Sequence, residues 1–133
     1  MADRLELARL RISPSWGTNP LPVITLKLVR QGEEWRIEAT EQTGRSRKSW
    51  RVGVASAEVD RWLGRLRGAT VPAFPVSPMV CDGEYVELTV HGEFSDLTLG
   101  WWTAPPEGAD ALADFALWLQ ELALPEEDES GED

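Results

Sequence analysis

The chain has 133 residues, a net charge of −10 at pH 7, one cysteine and one histidine. That length predicts a single domain able to bury a core without staples. Cys81 has no disulfide partner in the chain, and Cys81 with His91 cannot make a zinc or iron–sulfur ligand set. The opening "MADRLELARLRI" lacks the uninterrupted apolar run of a signal peptide, and no segment reaches the ~18–20 apolar residues of a membrane span. The expectation is a cytoplasmic protein with no metal, no cofactor and no membrane partner.

Residues 4–12, "RLELARLRI", alternate in polarity with a phase slip at Leu7–Ala8, which predicts a strand carrying a bulge; a short helix is the other reading. "SPSWGTNPLP" follows as a loop, with Trp16 in it. In "PVITLKLVR" Ile24, Leu26 and Leu28 share a face, and in "EWRIEAT" Trp35, Ile37 and Ala39 do. A two-residue turn at Gly32 would set Leu28 opposite Ile37 and Leu26 opposite Ala39, so the apolar faces coincide. "TGRSRKSW" reads as a basic loop with Arg45, Arg47 and Lys48, and "SWRVGV" as a strand presenting Trp50, Val52 and Val54 on one side and Arg51 on the other.

"SAEVDRWLGRLRG" predicts a helix. Ser56 is placed to cap its N-terminus, Val59, Trp62, Leu63 and Leu66 form one apolar stripe, and Gly68 can close it. The proline-bearing "ATVPAFPVSPMV" reads as an extended connector. Beyond it, Val86, Leu88 and Val90 alternate with Tyr85, Glu87, Thr89 and His91. Leu97, Leu99 and Trp101 alternate with Asp96, Thr98, Gly100 and Trp102. A two-residue turn at "HGEF" would pair Leu88 with Leu97 and Val86 with Leu99. The last element carries a helical stripe of Leu112, Phe115, Ala116, Leu119 and Leu122, with Trp118 at its margin and Pro125 ending it. The tail, 125–133, holds six acids and no base, and such a run buries nothing.

These elements predict an α+β domain over residues 1–124 with an acidic tail at 125–133. An antiparallel sheet of five or six strands, with both helices on one face, buries every apolar stripe. Trp35, Trp50, Trp62 and Trp101 fall on core faces, whereas Trp16, Trp102 and Trp118 do not. The other sheet face would collect Tyr85, Glu87, Asp96, His91 and Trp102. Aromatic anchors among acids are the composition of a partner-binding face, and Trp102, Tyr85, Glu87 and Asp96, with Trp16 at the rim, are the candidate contact residues.

No catalytic constellation emerges. A His91–Asp96 contact across the hairpin lacks a Ser or Cys nucleophile with an oxyanion hole. Glu87 and Asp96 as a carboxylate pair have no cleft, and "GRSRKSW" lacks phosphate-loop spacing. Arg45, Arg47, Lys48 and Arg51 could touch RNA, but the overall acidity argues against non-specific nucleic-acid binding.

The block "DGEYVELTV…LTLGWWTAPPEGADALADFALWL" resembles one in small bacterial proteins of uncharacterised function, where an Asp-Gly-x-x-Tyr hairpin leads to a tryptophan, a Pro-Pro-x-Gly break and a final helix. The matching residues are Asp82, Gly83, Trp102, Pro105, Pro106 and Gly108, with Tyr85 one place earlier than that pattern. The resemblance brings no activity. In size, acidity and α+β form the whole chain also resembles immunity proteins of bacterial toxin systems. That likeness implies a non-enzymatic protein that occludes the active surface of a basic toxin domain. The competing expectations are a small-molecule-binding domain or hydrolase with a sheet/helix pocket, and a subunit of a larger assembly or homo-oligomer.

Overall fold

The alternation of apolar and polar residues produces six strands, and the 3.6-residue stripes produce two helices. In the computed structural model residues 4–14, 22–73, 84–92, 94–102 and 104–124 are described. The elements are β1 (Arg4–Pro14), β2 (Val23–Gln31), β3 (Glu34–Thr43), β4 (Ser46–Val54), α1 (Ser56–Arg67), β5 (Glu84–His91), β6 (Asp96–Trp102) and α2 (Asp110–Ala123). The strands form one antiparallel sheet in the order β4-β3-β2-β1-β5-β6. Trp16, Cys81 and the acidic tail lie outside the described residues.

β1 is a strand rather than a helix, and its pairing with β2 shifts between Glu6 and Ala8, where the phase slip predicts a bulge. The extra residue restores the apolar phase, so Ala8, Leu10 and Ile12 align with Leu28, Leu26 and Ile24. At the first hairpin Gly32 takes a φ of 65°, which only glycine adopts freely, and Leu28 faces Ile37 and Leu26 faces Ala39 as the two-residue turn requires.

The second hairpin departs from its expected register. His91 pairs with Asp96, Leu88 with Leu99 and Val86 with Trp101. The loop therefore spans four residues, 92–95, closed by the Gly92 amide donating to the Ser95 carbonyl at 2.7 Å. A shift of two leaves every side chain on its predicted face, because the strand period is also two. It also places Phe94 in the loop instead of the strand.

The basic loop is shorter than its composition suggests: β4 begins at Ser46, so Arg47 and Lys48 are strand residues pairing with Gln42 and Glu41. Ser56 does not cap α1. Ala55 occupies that position with no side-chain hydrogen bond, and its carbonyl accepts from the amides of Glu58 and Val59. Gly68 takes the C-cap, its amide donating to the Leu66 carbonyl.

A single core cluster joins Ala8, Leu10, Ile12, Leu26, Leu28, Ile37, Ala39, Val86, Leu88, Leu99 and Trp101 of the sheet with Val59 of α1 and Leu112, Phe115, Ala116, Leu119 and Ala123 of α2. Register places all of these strand residues on one face. The nearest helix–strand approaches are α2 on β2, β3 and β4, and α1 on β3. Trp118 is a correction to its surface assignment. It is half-buried, with Trp62 at 5.5 Å and Phe115 at 5.8 Å between ring centroids, and its indole donates to Glu58. Leu97, expected in the core, is 42% exposed and stands near the start of the outermost described strand.

Candidate functional site

The sheet face that contributes nothing to the core cluster is polar, and the strand order divides it into two halves. On the β5–β6 half, cross-strand partners run Tyr85 with Trp102, Glu87 with Gly100, Thr89 with Thr98, and His91 with Asp96. Trp102 is 40% exposed, and its ring lies 5.0 Å from that of Tyr85 at a tilted angle. Gly100 makes this pair sterically possible. A built Cβ there would stand 2.6 Å from Cζ of Tyr85 and nearer still to the hydroxyl. The far end of the tyrosine thus lies over the glycine and fills the space its missing side chain leaves.

Phe94, at the loop between these strands, is 93% exposed. It has no counterpart in the strand-based reading, since a two-residue turn would have placed it on the sheet. Phe94 precedes β6 and the exposed Trp102 ends it, whereas the partly exposed Leu97 lies on the opposite, core-side face of the strand. Of the sequence-predicted contact residues, Tyr85, Trp102, Glu87 and Asp96 share one ribbon, and Trp16 lies outside the described residues. Asp96 is exposed and Glu87 half-buried.

Asp96 belongs to a clamp. His91 Nδ1 lies 3.1 Å from Asp96 Oδ1, and Nε2 lies 2.9 Å from Glu6 Oε2. Arg9 in turn approaches Glu6 at 3.3 Å. Burial works against charging His91, yet the hydrogen bonds it donates to the Glu6 and Asp96 carboxylates outweigh it and raise the pKa above its ordinary 6.5. Burial pushes Glu6 upward, but its bonds to His91 and Arg9 prevail and hold it below the usual 4.5. Both imidazole nitrogens are engaged, so the ring has no free lone pair for general-base work. The clamp ties β1, β5 and β6 together. Among the described residues no group of His, Cys, Asp and Glu could hold a metal ion.

The β1–β4 half of the same face is basic. Arg9 sits opposite Lys27, and Arg11 opposite Thr25. Arg47 pairs with Gln42 and Arg51 with Glu38. Arg36 and Arg4 both reach the Glu38 carboxylate; burial pushes its pKa upward, but their hydrogen bonds and charges prevail and hold it below its ordinary value. Sequence reasoning found only the local run around Arg47, since Arg9, Arg11 and Lys27 come from strands it could not place beside it.

On the core side, a cavity of about 650 Å³ opens at the end of α2, lined by Ile24, Glu41, Lys48, Trp50, Leu122 and Leu124. The indole of Trp50 donates to the Ala123 carbonyl at 2.8 Å and pins the helix end there. Among the described residues no helix is long and apolar enough to cross a membrane.

No protein-family model, no curated protein and no solved structure matches the chain.

Proposed function

We propose that the protein is a non-enzymatic protein-binding module whose contact surface is the β5–β6 ribbon. The observation that carries this reading is the exposure of Trp102 at the end of β6 and of Phe94 on the loop that leads into it. Exposed aromatic rings are costly to leave in water and supply large anchors at low entropic cost. Among the described residues no strand lies beyond β6, so its outer backbone edge adds donors and acceptors that a partner can meet. Glu87 and Asp96 flank the anchors and favour cations opposite them. The specific case is an immunity-type protein that covers the active surface of a basic toxin domain, its acidity speeding encounter and its aromatic anchors slowing release.

A photo-crosslinking residue placed at position 102 or 94 tests this. The same protein should be trapped from both positions and not from position 117, where Leu117 is 52% exposed on α2. Against the purified partner, Trp102→Ala should weaken binding by about thirtyfold, the equivalent of a ~2 kcal/mol hot spot. Equal trapping at position 117, or an unaffected Trp102→Ala variant, refutes the reading. For the immunity case the trapped protein must be a toxin inhibited by the wild type and not by the variant.

The cavity at the end of α2 favours a second reading, a small apolar ligand bearing one polar group. Its wall is Trp50, Ile24, Leu122 and Leu124, and Glu41 and Lys48, cross-strand partners, are its charged members. Quenching of Trp50 fluorescence by a fatty-acid or aromatic-acid probe would support it, and retention in a Trp50→Phe variant of the same total signal change would refute it.

A further inference from the structure

The basic half of the polar face is shaped as a trough. Its floor is made of short residues, Val23 and Thr25 of β2 and Thr40 of β3, and its rims of long cations, Arg9 and Arg11 from β1 and Arg47 from β4. It encloses about 470 Å³. Lys27 stands in it and is shared with an adjoining groove of about 350 Å³ that Arg51 lines.

Among the described residues, the charges in this trough are not balanced from within. Lys27 is half-buried and lies directly opposite Arg9, a like-charge cross-strand pair of the kind that destabilises a sheet. On its other side is Glu38, whose carboxylate is already held by Arg36 at 2.8 Å and by Arg4. Arg9 turns toward Glu6. Among the described residues, the side chains of Arg11, Lys27, Arg47 and Arg51 make no hydrogen bond or ion pair. This concentration of cations stands in a chain of net −10, so the remainder is more acidic than the net figure. An anion in the trough would turn the repulsion into attraction.

We infer that the trough receives an extended segment of the protein partner with carboxylates at alternate positions; this rests on the protein-binding reading above. Arg9 and Arg11 project from one side of β1 two residues apart, a repeat of about 6.8 Å. An extended peptide presents its alternate side chains at that same repeat, so its acids meet the two guanidiniums in step. The hydroxyls of Thr25 and Thr40 on the floor donate to carboxylate oxygens. A nucleic-acid strand carries a fixed charge on every nucleotide, so the chain's net charge of −10 opposes it along its whole length. The anchors and acids of β5–β6 lie beside the cations of β1–β4, so the face is bipolar and permits the partner one docking direction.

The test is fluorescence anisotropy on the full chain with a dye-labelled peptide of alternating Glu and Ser, eight residues long, beside an equally labelled eight-nucleotide thymidine strand. The alternating peptide should bind saturably and more tightly than one with its four Glu in a block. Lys27→Gln with Arg47→Gln should weaken it about tenfold, as expected for two lost charge contacts. Arg61→Gln with Arg67→Gln, on exposed positions of α1, should leave it within twofold. Tighter binding of the thymidine strand, equal affinity of the block peptide, or indifference to the Lys27 and Arg47 changes overturns the inference. The two readings separate cleanly. A peptide that fails while position 102 still traps a protein removes the trough and leaves the ribbon. A peptide that binds while position 102 traps nothing removes the ribbon.

Discussion

Gly100→Ala is the sharpest probe of how the aromatic pair is built. The new Cβ would stand 2.6 Å from Cζ of Tyr85, closer than carbon atoms approach without displacement. The obstacle is the far end of a side chain with two rotatable bonds, so Tyr85 swings away and the backbone stays. Two opposed effects then set the stability. Losing the Tyr85–Trp102 contact costs about 0.5–1.5 kcal/mol. Replacing a strand glycine by alanine restores about 0.5–1 kcal/mol through a less floppy unfolded chain. The net change should stay within ~1 kcal/mol in urea denaturation, while the near-UV circular dichroism of the coupled rings falls sharply. In a Tyr85→Ala background the same change should be stabilising by about 0.5–1 kcal/mol, because only the backbone effect survives. A loss of ~3 kcal/mol or more would show that Tyr85 cannot move, and an unchanged aromatic spectrum would show that the ring does not lie over Gly100. Either result refutes the reasoning.

Other outcomes follow from the same structure. His91 has a raised pKa in the folded state, so its stabilising contribution is complete below about 6.5 and is lost as pH climbs through the folded value. Glu6 has a lowered pKa, so its contribution is present above about 4.5 and is lost as pH falls through the folded value. Urea midpoints across pH should therefore peak between these limits, and His91→Gln should flatten the alkaline limb. Phe115→Ala empties a fully buried site between the helices and the sheet and should cost about 3–5 kcal/mol in thermal or urea unfolding. Trp50→Phe removes the bond to the Ala123 carbonyl and should cost about 1–2 kcal/mol, with faster amide exchange confined to the last turn of α2. Lys27→Thr relieves the opposition to Arg9 and should stabilise the free protein by about 0.2–1 kcal/mol at low salt, an effect that added salt erases.

Much of this fold was legible in local pattern. The alternation in residues 22–54 and 84–102 marks the strands and their inward faces. The slip at Leu7–Ala8 marks the bulge, and the stripe through Phe115 marks α2. Even the second hairpin, whose loop is two residues longer than its Gly-Glu turn suggested, kept every side chain on the expected face. The misreadings were of chemistry that neighbours override. Ser56 resembles a cap, yet the chain enters the helix one residue earlier. Trp118 lies at the margin of the main stripe, but Trp62 reaches it from α1.

Periodicity therefore determined which side of each strand is apolar, and with it that Tyr85, Glu87, Asp96 and Trp102 share a surface. Strand order was decided only by the folded molecule. Setting β1 between β2 and β5 puts Glu6 against His91, 85 residues away, and Arg9 and Arg11 beside Lys27. No local feature of β1 specifies which two edges it will join, because its backbone donors and acceptors can pair with any extended neighbour. The choice falls to the burial of its apolar face with the rest of the core, and the basic trough and the histidine clamp come with that choice.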